Sequence, residues 1–256
     1  MFNINPALEA PLPANLVKAN GVVIWEGASL LDGAPIVMIA TGIRKASRNA
    51  KTGAMVQTYI IRQDVDPVTA VREGADASIC GDCRHRGDGT GKGRSCYVTL
   101  IHGPSAVFKA YKRGAYPKAT PTQAADLFAD KMVRLGTYGD PAAVPFSVCK
   151  MITARAKGWT GYTHQWRSIK PRWAELVMAS ADSLGDMNDA QALGYRTFRV
   201  TAEPFQNVRG YEVICPASEE KGKVASCATC KACMGTSGKA KASIQIAAHG
   251  TGKTYV

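Results

Sequence analysis

The sequence predicts an α/β protein: a (β/α) barrel-like domain, complete or partial, over residues 71–256, preceded by a β-rich extension over residues 1–70. Three observations carry this expectation. Short β-branched and aromatic runs bounded by glycine, proline or charge fill the first part of the chain. Beyond it, continuous apolar runs alternate with helical stretches, the pattern of parallel strands buried on both faces. The apolar runs also end repeatedly in polar residues or cysteine, as barrel strands do where they deliver functional groups at the carboxyl face.

In chain order, "GVVIWEG", "APIVMIATG" and "AMVQTYIIRQD" read as strands, with the polar, basic "RKASRNAKTGAMV" as a loop or hairpin tip between the last two. "DPVTAVREG" reads as a helix, because Asp66 can cap it, Pro67 suits the first turn and Gly74 can end it. "ADASICGDC" and "SCYVTLIHGP" read as the next strand-like stretches, the second feeding the helix "SAVFKAYKRG". "KMVRLGTYGDP" then leads into the helix "AAVPFSVCKMITARAKG", "WTGYTHQW" follows, and "AELVMASADS" leads into the helix "MNDAQALGY". "RTFRVTAEP", "YEVICPAS" and "ASIQIAAHG" complete the series. About eight such units fit a compact or incomplete barrel. An open doubly wound sheet is the competing architecture, but no glycine fingerprint follows the first strand to favour a dinucleotide fold.

Composition narrows the function classes. No apolar run approaches the roughly 20 residues of a membrane span, and the opening "MFNINPALEAPLPANLVKANG" has no basic stretch followed by an apolar one, so it is not read as a secretory signal. The expectation is a soluble, cytoplasmic protein without a membrane partner, in which eight cysteines serve as metal ligands or reactive groups rather than as disulfides. The formal net charge of +12 points to a solvated surface or to a polyanion partner such as nucleic acid. There is no zinc-finger histidine spacing, leucine heptad, Walker loop, nucleophile elbow or HExxH helix.

Seven of the eight cysteines fall into two sets. The carboxy-terminal set is Cys215 with Cys227, Cys230 and Cys233 in "CATCKACMG". A C-x2-C-x2-C run with one remote cysteine is the ferredoxin spacing for a [4Fe–4S] cubane, since two-residue gaps wrap one corner of the cube. The small residues Ala228, Thr229, Ala232 and Gly235 let the backbone approach it. Zinc is the alternative, although structural zinc sites usually pair two C-x2-C knuckles. The amino-terminal set is Cys80, Cys83 and Cys96. It could hold a cubane with one iron open to substrate, or zinc with His85 as fourth ligand, or the two sets could share a single cluster. The linker "GDGTGKG" offers backbone N–H groups for cluster sulfides. The eighth cysteine, Cys149, lies in an apolar helical stretch and is read as core.

The succession "TGAMVQTYIIR", "GADASICGDCRHR", "GRSCYV", "VRLGTYGDPAAVP", "GYTHQWR", "MASADS", "TFRV", "CPAS" and "HG" resembles an uncharacterised group of cysteine-rich bacteriophage proteins, over roughly residues 55–250. That group is similar, more weakly, to phage iron–sulfur barrel proteins of the radical-SAM-like type. The resemblance implies a [4Fe–4S] cluster on Cys80, Cys83 and Cys96, with Tyr97 after the trio. It also implies a strand-end motif at Gly139 and Asp140, S-adenosylmethionine as a cofactor, and a location in the cytoplasm of the bacterial host. The trio departs from the family's common C-x3-C-x2-C spacing, being C-x2-C followed by a gap of twelve.

The remaining candidates each have a plain structural role beside a functional one. Asp140, His164 and Asp182 are the catalytic candidates, and His249 is a further acid–base candidate because histidine titrates near neutrality. The plain readings are helix caps or turns for Asp140 and Asp182 and hydrogen-bonded strand ends for the histidines. Tyr138 and Trp166 read as rim packing, and the "KTG" at 51–53 as a turn. Two functions follow: an iron–sulfur protein, as a radical-SAM-like or redox enzyme, or a zinc-stabilised nucleic-acid-binding protein without enzymatic activity.

Overall fold

The computed structural model describes residues 11–46, 49–202, 211–250 and 252–256. A short helix α1 (Ala14–Lys18) leads into β1 (Gly21–Ala28), β2 (Pro35–Thr41) and β3 (Met55–Arg62), which pair antiparallel in succession. Residues 47 and 48 of the predicted hairpin tip lie outside the described residues. Helices α2 (Pro67–Arg72), α3 (Ala77–Cys80), α4 (Gly103–Lys112) and α5 (Pro121–Leu127) follow before β4 (Met132–Tyr138). Next come α6 (Phe146–Thr153), β5 (Gly158–Thr160), β6 (Tyr162–Thr163), β7 (Met178–Ala181), α7 (Leu184–Ala192) and β8 (Thr197–Thr201). The chain closes with β9 (Glu212–Ile214), the single-turn α8 (Cys227–Cys230) and β10 (Ser243–Ala247). The protein is therefore α/β.

One sheet has the order β1-β2-β3-β4-β5 and the other β6-β7-β8-β10-β9. From β3 onward every pairing is parallel. The two sheets meet at a single residue, because β5 and β6 are separated only by Gly161. The boundary near residue 70 falls between β3 and β4, which are neighbours in one sheet. Burial on both faces explains the continuous apolar runs "PIVMIAT" and "MVQTYIIR", although β2 pairs antiparallel on both sides and β3 on one; Ile36, Met38, Ile39, Ile60 and Ile61 are fully buried. A second, smaller cluster packs Met178, Ile244 and Ile246 against Cys215 and Cys233. Between β8 and β9, an Arg199–Glu212 ion pair at 2.7 Å is almost wholly buried.

The helix from residue 67 forms as expected, Asp66 accepting from the N–H groups of Val68 and Thr69. Two strand expectations are corrected. "ADASICGDC" contains the helical turn α3, in which the Cys80 N–H donates to the Asp76 carbonyl at 2.9 Å. Alanine favours the helical turn over the single β-branched Ile79 there, and the Asp76 carboxylate is taken by Arg86. "SCYVTLIHGP" holds no strand either, for the Cys96 N–H is taken by the His85 carbonyl at 3.0 Å instead of a sheet neighbour. Helix α5 was not among the expected elements. It rests on a capping box in which Thr120 and Gln123 each satisfy the other's backbone N–H. No helix among the described residues is long and apolar enough to cross a membrane.

Candidate functional site

A cavity of about 390 Å³ opens where the parallel strands end and where their inward-facing side chains meet. Its walls include Tyr138 and Asp140 after β4, His164 after β6, Ser180 of β7, Phe198 and Val200 of β8, and Ile244 and Ile246 of β10. All seven cysteines of the two sets line it, separated by more than a hundred residues of sequence at the widest. All eight cysteines of the chain are free thiols. Cys149 lies apart, fully buried in α6, where burial holds its thiol far above the ordinary range.

The carboxy-terminal set is built on a loop clamped from three sides. Ser226 caps α8, its hydroxyl and that of Thr229 forming a capping box. The N–H groups of Cys227 and Ala228 donate to the carbonyls of Lys51 and Thr52 at 2.9 and 3.1 Å. Arg196 donates through Nη1 to the carbonyls of Ala232 and Gly235, at 2.6 and 2.9 Å, and through Nη2 to that of Ala242. Gly235 closes the loop with φ of 56°, and a Cβ there would lie 2.4 Å from the Ala174 carbonyl oxygen. Cys215 arrives one residue after β9. Burial raises the thiols of Cys215 and Cys227, and pushes Cys233 up to about 12 against a hydrogen bond from Tyr162.

Beside these thiols stand Lys51 and Arg134. Burial lowers the Lys51 ammonium, opposed by the charges of Cys215 and Cys227. Arg134 reaches from β4 and donates to the Tyr97 hydroxyl, while its Nε is buried without a partner. Among the described residues neither cation has a carboxylate within ion-pair distance. Lys51 instead meets Nε2 of His249 at 3.3 Å, and His249 stacks on Tyr97 with ring centroids 5.2 Å apart.

The amino-terminal set sits among acids, imidazoles and arginines together. Cys80 ends α3, and Gly81 follows with φ of 53°, a Cβ there falling 2.5 Å from the Gln165 side chain. Gln165 donates to the Cys80 carbonyl at 3.1 Å. Arg86 braces the turn through the Gly81 and Gly74 carbonyls and a 2.7 Å ion pair with Asp76. Burial, then the neighbouring charges of Cys83 and Cys96, hold the Cys80 thiol well up. The Cys83 sulfur lies 3.9 Å from His164 Nε2. None of the residues 87–93 in the glycine-rich linker lines the cavity.

Asp140 is anchored on every side. It accepts from the Ala142 N–H, the Thr163 hydroxyl and the His164 N–H at 2.9, 3.0 and 2.9 Å. Burial still raises its carboxyl above the usual range. The cap role foreseen for it is present, and it also orients His164. Asp182 caps nothing, that role passing to Ser183. Its carboxylate lies 3.2 Å from His85 Nε2 and 3.5 Å from His164 Nε2. Burial opposes ionisation there, but the two histidines hold Asp182 far below the ordinary carboxylate range. His249 keeps its strand-end contact, Nδ1 lying 3.3 Å from the Ala247 carbonyl. Trp166 is core, 2% exposed, its indole N–H donating to the Ser180 carbonyl.

Spacing separates the ligand chemistries. Among the described residues, His85, His164 and Asp182 are the one group of three or more histidine, cysteine or acidic residues whose ligand atoms all lie within 4.8 Å of one another. No three cysteine sulfurs come that close. A tetrahedral zinc with bonds of about 2.3 Å needs thiolates about 3.8 Å apart. A cubane binds each thiolate through a different iron and spreads them to about 6 Å.

No protein-family model, curated protein or solved structure matches the chain. The residues the sequence reading passed over are Lys51, Arg134 and Ser95. Arg134 had a visible signal, a guanidinium inside the otherwise apolar "MVRLGTY". Lys51 and Ser95 sit in polar loops and had none.

Proposed function

We propose that the protein is an iron–sulfur enzyme of the radical or redox type, with its two sheets forming the wall of an incomplete (β/α) barrel. The observation that carries the reading is the convergence of seven unbridged cysteines on one cavity. Cys215, Cys227, Cys230 and Cys233 would hold a fully ligated [4Fe–4S] cluster. Cys80, Cys83 and Cys96 would hold a second, whose remaining iron is open to S-adenosylmethionine or another small molecule. When bound, the first supplies electron transfer and the second activates the molecule at its open iron.

The chain's own residues support the assignment. Lys51 and Arg134 are cations beside Cys215 and Cys227 without carboxylate partners, and buried charge is costly unless compensated. Thiols raised by burial would stay neutral and give no compensation, whereas metal-bound thiolates would. Asp140 fixes the backbone of His164, and the cavity volume is within the roughly 300–1,000 Å³ range of small-molecule sites.

The test is iron and acid-labile sulfide analysis of anaerobically purified protein, with absorption and Mössbauer spectra. About eight irons and eight sulfides per chain are expected, with one iron in a distinct environment. Colourless protein with stoichiometric zinc would overturn the reading. The +12 charge favours a second one, a zinc-stabilised nucleic-acid-binding protein. Its sign would be zinc together with DNA or RNA affinity that falls steeply with salt.

A further inference from the structure

We propose that His85, His164 and Asp182 form a separate mononuclear site for a divalent transition-metal ion, distinct from both cysteine sets. The two imidazole Nε2 atoms come from different parts of the chain, yet both face one carboxylate, at 3.2 and 3.5 Å. All three ligand atoms lie within 4.8 Å of one another. Bonds of about 2.1 Å to a shared ion put adjacent nitrogen and oxygen ligands about 3.0–3.4 Å apart, close to what is seen.

The hydrogen bonding around the group independently fits a cation site. His85 Nε2 and Asp182 Oδ1 are both buried and have no hydrogen-bond partner, although they are near neighbours. Nδ1 of His85 is 2.7 Å from the Ser95 hydroxyl. When Nδ1–H donates to that oxygen, Nε2 presents a bare lone pair to a carboxylate lone pair. An ion between them turns this repulsion into two bonds. Ser95 is then the outer partner that fixes the imidazole tautomer, the usual arrangement for a metal-ligating histidine. On the other side, the Asp140 carboxylate accepts from the backbone N–H of His164 at 2.9 Å and so fixes the main chain that carries the ring.

Two histidines and one carboxylate suit Fe²⁺, Mn²⁺ or Zn²⁺ and leave positions free for water or a substrate oxygen. The side chains of His85, His164 and Asp182 are 12%, 17% and 17% exposed, so the ion would be shielded yet reachable. His85 and His164 line the same cavity as the cysteines. A substrate there would meet this ion within reach of the amino-terminal cysteine set.

The site stands whatever the cysteines hold, so its test counts metal beyond that held by sulfur. Wild-type holoprotein, dialysed against Mn²⁺ and separately against Zn²⁺, should take up one further ion of at least one of the two. In Asp182→Asn and in His85→Ala that uptake should weaken about tenfold or more, while iron and sulfide contents stay at the wild-type level. Ser95→Ala should weaken it by a smaller factor. Uptake of neither ion by the wild type would overturn the proposal, as would equal uptake by the variants. Loss of iron from Asp182→Asn with its circular dichroism unchanged would also overturn it, since the residue would then serve the cysteine centre. A variant that fails to fold is replaced by His164→Gln, judged by the same counts.

Discussion

The two cysteine sets face each other across one cavity but are housed differently. The carboxy-terminal four stand among cations, with Lys51 and Arg134 beside the thiols and Arg196 binding the loop carbonyls. The amino-terminal three stand in mixed surroundings, with Asp76 and Asp140 near Cys80, His164 against Cys83, and Arg86 and Arg94 also beside the set. Under the proposed function, four thiolates in a cationic shell would form a closed centre whose charge the protein neutralises, and three thiolates without a fourth cysteine would leave a centre open. The contrast would then let one cavity hold a closed and an open centre that differ in what surrounds the sulfur.

The strongest way to break this comparison is to remove one set at a time. Cys230→Ser should lower iron content to about half, as should Cys80→Ser. Only Cys80→Ser should abolish the spectral change that S-adenosylmethionine produces. If either variant lost all its iron, the two centres would be one. Next in size is Arg196→Met, which strips four carbonyls, those of Ala232, Gly235, Lys241 and Ala242, of a charged donor. A destabilisation of about 3 kcal/mol in denaturant titration is expected, with iron lost from the carboxy-terminal set first.

A subtler variant, Arg134→Met, tests the electrostatic half of the contrast. Removing this cation should lower the midpoint potential of the four-thiolate centre, on the order of 50 mV, and leave the other unmoved, as read by redox titration with paramagnetic resonance. The smallest effect is a control remote from both sets. The hydrogen bond from Lys118, followed by that from Tyr111, holds the Glu26 carboxyl below its ordinary value of 4.5 despite burial. Its stabilisation is therefore present above that value and lost as pH falls through the lower folded-state value. Lys118→Met should remove less than about 1 kcal/mol at neutral pH, because the lysine is exposed, and should flatten the acid limb of the stability curve without changing iron content.

How far the sequence reveals all this depends on the element. Most of the parallel strands from β3 onward were legible because strands buried on both faces need unbroken apolar runs, and β1 and β2, though antiparallel, carry equally apolar runs. Cys80 was misplaced on a strand because "ADASIC" is too short to show helical periodicity. Helix α5 went unread although "TPTQ" carries a proline after a capping residue and a glutamine in the box position. Within the site, ligand-type residues were visible by spacing. Their environment was not, since the partnership of His85 with Asp182 joins positions nearly a hundred residues apart. The order of β9 and β10 was equally hidden, because β10 inserts between β8 and β9 and no local pattern encodes an insertion.

The bonds from Cys227 and Ala228 back to the carbonyls of Lys51 and Thr52 have a consequence for biosynthesis. The earliest strands leave the ribosome with an edge of their loop waiting for a segment made near the end of translation. Under the proposed function, iron delivered before that segment emerges would find no pocket for the four-cysteine loop. Installation there would be a late event, and a chain truncated before residue 227 should have its opening strands in place with no means of retaining that metal.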